Sequence, residues 1–132
     1  MQCPCGKNPY KECCGKYIDD NVLPPDPESL MRSRYAAFAL GKIKYLTETI
    51  TGKAAKKFNY QGLDEWLKNI EWQGLTIIKS RLKSPLNGFV TFEAKYIENG
   101  IQYTICEKSE FKKIGGKWFY IDGKVTIKKQ EL

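Results

Sequence analysis

Residues 88–123, GFVTFEAKYIENGIQYTICEKSEFKKIGGKWFYIDG, decide the fold. Apolar and polar residues alternate along this stretch, β-branched and aromatic side chains are frequent, and glycine-containing turns cut it into runs. Glu98-Asn99-Gly100 marks one hairpin and Gly115-Gly116 another. The preceding run EWQGLTIIKSRLK, residues 71–83, has the same character. About four antiparallel strands are predicted.

Upstream the apolar period changes. In NVLPPDPESLMRSRYAAFALG, residues 21–41, Asp26 suits a helix N-cap, Pro27 the first helical position, and Glu28 complements the helix dipole. Met31, Tyr35 and Phe38 recur at helical spacing beside Leu30 and Ala37, and the helix is predicted to end near Gly41. KIKYLTETI (42–50) gives a second helix with Ile43, Leu46 and Ile50 on one face. GLDEWLKNI (62–70) gives a third, with Leu63, Trp66, Leu67 and Ile70. Helices first and strands afterwards make an α+β domain, with one face of a curved antiparallel sheet closing over the helices. The lysine-rich carboxyl end, with Lys124, Lys128 and Lys129, reads as a frayed tail.

Composition bounds the function. A chain of 132 residues suits one core, and 42% apolar and 13% aromatic residues exclude disorder. A formal charge of +7 permits contact with nucleic acid, ribosome, anionic lipid or an acidic partner without selecting among them. Lys53, Lys56 and Lys57 read as a solvated face. The absence of histidine excludes a Ser-His-Asp triad, a Cys-His pair and HExxH zinc chemistry. No phosphate-binding glycine loop is present. Met1 leads directly into a cysteine cluster with no apolar signal-peptide run, and no stretch approaches a membrane span, so a cytoplasmic home is expected.

In MQCPCGKNPYKECCGKY, residues 1–17, stand Cys3, Cys5, Cys13 and Cys14, four of the chain's five cysteines. Four thiolates converging on one point form the closed tetrahedral set of structural zinc and leave no open position for a reacting water. In a reducing compartment clustered cysteines favour metal over disulfides. A redox pair is the rival reading, weakened because adjacent cysteines form a strained bridge. Gly6 offers a tight turn. Asn8-Pro9 is expected to start a short helix carrying Cys13 and Cys14, which Gly15 closes. The Pro24-Pro25-Asp26-Pro27 hinge divides a zinc segment, residues 1–23, from the main domain, residues 24–132. On that division, Cys13→Ser unfolds the zinc segment and leaves the main domain's melt intact.

CPCGKNPYKECCGKY resembles the SEC-C motif, the zinc-binding segment at the carboxyl end of the translocase motor SecA. That motif reads C-P-C-G-S-G, a lysine-rich turn, then Y-K-K-C-C or Y-K-K-C-H. Cys3, Cys5, Cys13 and Cys14 fall on its ligand positions, and Gly6, Tyr10 and Lys11 match around them. Seven residues separate Cys5 from Cys13, one fewer than is usual in that family. LMRSRYAAFALGKIKYLTETI, EWQGLTII, GFVTFEAKYIENG and EKSEFKKIGGKWFYIDG extend the likeness over nearly the whole chain, to the YchJ-type family of small bacterial proteins. The resemblance implies a cone-like cystatin- or nuclear-transport-factor-two-like domain behind an amino-terminal zinc knuckle. Many members add a second SEC-C motif at the carboxyl end; residues 124–132 contain no cysteine. By analogy with SecA, the knuckle is expected to dock a protein such as the export chaperone SecB or the ribosome. Lys7, Tyr10, Lys11 and Lys16 are the contact candidates.

A second function is a small-molecule or enzymatic pocket in the cone. Arg32 and Arg34, with Tyr35 beside them, would meet strand carboxylates such as Glu93, Glu107 or Glu110. A structural ion pair explains the same residues. Cys106, beside Glu107, reads as a packed thiol before a nucleophile. A third function is nucleic-acid binding, with Trp66, Trp72, Tyr96, Trp118 and Tyr120 stacking on bases. Their spacing matches element faces, so core packing is the simpler reading.

Overall fold

A computed structural model describes residues 1–130. A 3₁₀ turn at Tyr10–Glu12 precedes α1 (Gly15–Ile18), α2 (Pro27–Leu40), α3 (Ile43–Glu48), α4 (Gly52–Lys56) and α5 (Tyr60–Leu67). Four strands follow: β1 (Ile70–Ser84), β2 (Asn87–Glu98), β3 (Ile101–Ile114) and β4 (Lys117–Gln130). They form one open antiparallel sheet in the order β1-β2-β3-β4. The α+β expectation holds. No helix among the described residues is long and apolar enough to cross a membrane.

Local chemistry fixes the connections. Asn99 and Gly100 have φ of 54° and 78°, and Gly115 and Gly116 have 58° and 81°. These are the left-handed pairs that a two-residue hairpin demands, because their twist matches that of the strands. Asp26 caps α2, its side chain accepting from Ser29 N–H at 2.7 Å, and the helix stops at Gly41.

The inner sheet face carries the core. Val90, Phe92, Ala94 and Tyr96 alternate as buried residues along β2, and the first three share one core cluster with Leu30, Met31 and Tyr35 of α2. Trp72 of β1 sits among Tyr35, Phe38, Trp66 and Tyr96, with ring centroids 5.4–6.2 Å away. These aromatics pack on one another, as their spacing predicted. Register shifts interrupt β1 at three places and the β3–β4 pair between Glu110 and Phe111. Bulges of this kind bend strands and raise their twist.

Five local expectations change. Ile70, expected on the third helix, opens β1 and pairs with Glu98, because α5 ends at Leu67. Cys13 and Cys14 do not ride on one helix: they join the 3₁₀ turn to α1, and Gly15 opens α1 instead of closing a helix. Ile50 lies beyond α3 and forms a parallel bridge with Tyr120, which seats residues 49–51 along the start of β4. Helix α4 was not predicted; its run Gly52–Lys56 is short and carries two lysines. The lysine-rich end is no frayed tail over the described residues. It continues β4, pairing Ile127 with Ile105 and Gln130 with Gln102. Backbone bonds to β3 and the β-branched run Val125-Thr126-Ile127 hold it there, while lysines tolerate the solvated side of a strand. Residues 131 and 132 of the expected tail and main domain lie outside the described residues.

Candidate metal centre

The chain builds its cysteine cluster from two short arms. Residues 1–3 and 8–10 clamp together through Tyr10 N–H to Met1 O (2.8 Å) and Cys3 N–H to Asn8 O (3.1 Å). Gly6 N–H closes the turn on Cys3 O at 2.9 Å. That turn points Cys3 and Cys5 the same way. From the other arm, the Cys14 carbonyl accepts from Tyr17 and Ile18 N–H, so Cys14 stands at the mouth of α1.

The four sulfurs all lie within 4.8 Å of one another. Cys5 Sγ is 3.5 Å from Cys13 Sγ, and Cys13 Sγ is 3.9 Å from Cys14 Sγ. A disulfide needs about 2.05 Å. Four sulfurs bound tetrahedrally at about 2.3 Å from one ion would stand about 3.8 Å apart. The cluster therefore fits one tetrahedral metal ion, and the shortened Cys5–Cys13 turn does not prevent convergence. All five cysteines are free thiols. Cys3, Cys5 and Cys14 are at most 2% exposed and Cys13 9%.

Proton chemistry agrees. Cys5 is pushed down to about 4, first because Cys14 donates to its sulfur, and further by Lys7 N–H and by Cys13 and Cys3. Cys14 is pushed up, because ionising it would lose that bond and set a second negative charge beside Cys5. Burial pushes Cys3 up as well. Four thiolates gathered at one point would repel one another, so the full thiolate set is stable only around a cation.

The second support of the cluster is Gly15. A Cβ there would come 2.6 Å from Tyr10 O and 2.9 Å from its ring. Gly15→Ala is thus expected to destabilise the protein by about 1–3 kcal/mol, the range of overpacked sites. It should also loosen metal retention, read as faster zinc transfer to a chromogenic chelator. Unchanged melting and transfer would refute this close-packing role.

The contact candidates separate. Lys7 and Lys11 are exposed. Lys16 is half-buried, its Nζ 5.1 Å from the Tyr17 ring. Tyr10 is turned inward, its hydroxyl buried near Asp19, and its ring fills the space that Gly15 leaves open.

The six pocket candidates do not assemble as one site. Arg32 belongs to the cysteine cluster: its Nη1 donates to Cys5 O (3.2 Å) and its Nε pairs with Glu28 (3.0 Å). Arg34, 3% exposed, faces elsewhere, Nη1 donating to Leu46 O (2.9 Å) and Thr49 Oγ1 (2.6 Å). Its guanidinium lies 4.9 Å from the Tyr120 ring centroid. Burial pushes Arg34 down to about 10, so it stays charged at neutral pH. Glu107 meets Tyr120 from the other side, accepting from its hydroxyl (2.8 Å) and from Ser109 Oγ (2.5 Å). Tyr120 is therefore the link between Arg34 and Glu107, in place of a direct ion pair. Tyr35 is core. Glu93 and Cys106 are cross-strand partners on the outer face of the sheet, with Thr126 beside Cys106. Tyr120 stood in a quoted block, but nothing in the sequence marked Thr49 or Ser109 as members of this network.

Comparison with known proteins agrees with this geometry. Residues 26–123 match the family described as YchJ, middle NTF2-like domain. The chain belongs to the YchJ family. The match begins at the N-cap of α2, so the cysteine cluster precedes it. The UPF0225 protein YchJ of Shigella dysenteriae is 40% identical over 123 residues, which span 92% of this chain and 81% of that protein. The solution structure of a SEC-C motif containing protein from Rhodopseudomonas palustris superposes with a TM-score of 0.84 at 31% identity, covering 94% of this chain and 98% of that one. The crystal structure of a SEC-C motif containing protein from Psychrobacter arcticus gives 0.81 at 27%, covering 96% and 83%.

Proposed function

We propose that this YchJ-family protein is a non-enzymatic cytoplasmic adaptor whose SEC-C-like knuckle holds one structural Zn²⁺ and docks a protein partner. The observation that carries the reading is the convergence of four nearly buried sulfurs on one point. Cys3, Cys5, Cys13 and Cys14 would hold the ion, which would supply rigidity, since no ligand position remains for substrate or water. Around it the exposed Lys7 and Lys11, with Lys16 beside them, present positive charge to an acidic partner surface. The likeness to the SecA knuckle makes SecB and the ribosome the first partners to try.

The test is sedimentation of the zinc-loaded protein with purified SecB and with ribosomes. Joint replacement of Lys7, Lys11 and Lys16 by glutamate leaves the cysteines in place. It is expected to weaken the bound complex at least tenfold with melting unchanged. Equal binding by the lysine variant, or no binding of either partner, would count against docking through this knuckle.

The pocket reading gains less support. The polar atoms of Arg34, Tyr120 and Glu107 engage one another and their neighbours, which is the pattern of a structural network.

A further inference from the structure

The outer face of the sheet, opposite the helices, has an ordered pattern of charge. Lys79, Thr91, Lys108 and Lys124 stand in one row across all four strands. The next row reads Arg81, Phe89, Glu110 and Asp122. Lys108 and Lys124 are direct cross-strand partners, an arrangement that destabilises a sheet when both carry the same charge. The three ion pairs among the described residues, Arg32–Glu28, Lys42–Asp19 and Lys68–Asp64, include none of these cations. Phe89, half-buried in the second row, has its ring centroid 4.9 Å from Lys108 Nζ of the first row and 5.7 Å from the Arg81 guanidinium. Beside it opens a cleft of about 310 Å³ lined by Lys83, Phe89, Lys108, Glu110, Asp122 and Lys124 among others.

We propose that this face binds a single-stranded polynucleotide, independently of the knuckle. Neighbouring strands lie about 4.8 Å apart, so Lys79 to Lys124 covers about 14 Å of sheet. That is enough for long lysine side chains to reach about three successive phosphates. The cleft accepts a base beside Phe89. There Glu110 and Asp122, which each spend one oxygen on Asn87 Nδ2 and Gly123 N–H, keep a second oxygen for the amino group of an unpaired base. The same two carboxylates favour a single strand over a duplex or an anionic lipid surface. Against a uniform sheet of phosphates they would repel; against an exposed base they accept.

The experiment is fluorescence anisotropy of the zinc-loaded full chain with labelled 12-mers of C and dC, a 12-base-pair duplex, and phosphatidylserine vesicles as competitor. With three phosphate contacts, affinity for the single strands should fall about 20-fold between 50 and 200 mM salt, a log–log slope of about −2. Joint replacement Lys108→Gln and Lys124→Gln should weaken binding at 50 mM salt about tenfold and flatten the slope to about −0.7. Its melting temperature should stay the same or rise, because the like-charge pair is gone. Phe89→Leu should weaken binding about tenfold with the slope kept. The proposal is overturned by no binding at 50 mM salt, by equal affinity for the duplex, or by full affinity in the double lysine variant. It is equally overturned if vesicles bind in a lysine-dependent way and the oligonucleotides do not.

Discussion

Cys14→Ser is expected to abolish metal retention and lower the melting temperature of the whole protein by more than about 10 °C. Cys14 is 1% exposed, and its sulfur stands in the set of four. A hydroxyl is a poor substitute for a thiolate on a soft metal site. Structural zinc in small modules supplies about 10–16 kcal/mol of apparent binding energy, which is folding energy where the apo site does not persist. The loss should spread beyond the knuckle. The four cysteines share one buried cluster with Leu30, Met31 and Tyr35 of α2, and Arg32 ties α2 to Cys5 O. Pro25 O accepts from the Trp118 indole at 3.3 Å, so the proline segment is anchored too. The sequence division at the prolines suggested that the main domain would melt unchanged after loss of a ligand; the shared packing changes that expectation. A strong chelator should reproduce the effect in the wild type and add nothing in Cys14→Ser. Two separate transitions with the upper one unmoved would show the knuckle to be an independent unit.

Arg34→Ala should be the most damaging change outside the cysteines, about 3–5 kcal/mol, or a fall in melting temperature of about 10–15 °C. The guanidinium is nearly inaccessible. It is the hydrogen-bond donor that holds the C-terminal end of α3, at Leu46 O and Thr49 Oγ1, against α2. Removing it strips partners from buried oxygens and empties the space beside Tyr120. Tyr120→Phe removes only the hydroxyl bond to Glu107 and should cost about 1–2 kcal/mol. If Arg34→Ala melts like the wild type, the Arg34–Tyr120–Glu107 chain is no structural network, and a ligand role for Arg34 regains interest.

The sequence announces elements whose signals are local. The hairpin turns at Asn99-Gly100 and Gly115-Gly116 require positive φ at adjacent positions, and few residue pairs supply it. Asp26-Pro27 and Gly41 bracket α2 by backbone chemistry alone. The cysteine cluster was equally legible, because both arms lie within fourteen residues.

What the sequence hides depends on distant contacts. Arg32 and Arg34 are two positions apart, about 200° around a helix. One therefore meets the knuckle and the other meets α3 and Tyr120, a difference that no spacing rule assigns. The break at Cys13 and Cys14 follows from the Tyr10 ring lying on Gly15, which only the folded knuckle shows. The shift between Glu110 and Phe111 sets which β4 residues face β3, and nothing in those residues announces it. The carboxyl-terminal lysines misled because solvated charge suits a tail and an exposed strand end equally well.

Native mass spectrometry of the protein gently purified from its own cells, followed by alkylation without denaturation, is the most direct measurement. The expected result is a mass increment of one zinc ion, with Cys3, Cys5, Cys13 and Cys14 protected while the partly exposed Cys106 is labelled. A metal-free chain whose four amino-terminal cysteines are oxidised or freely alkylated would contradict a zinc-held docking knuckle and return the cluster to redox chemistry.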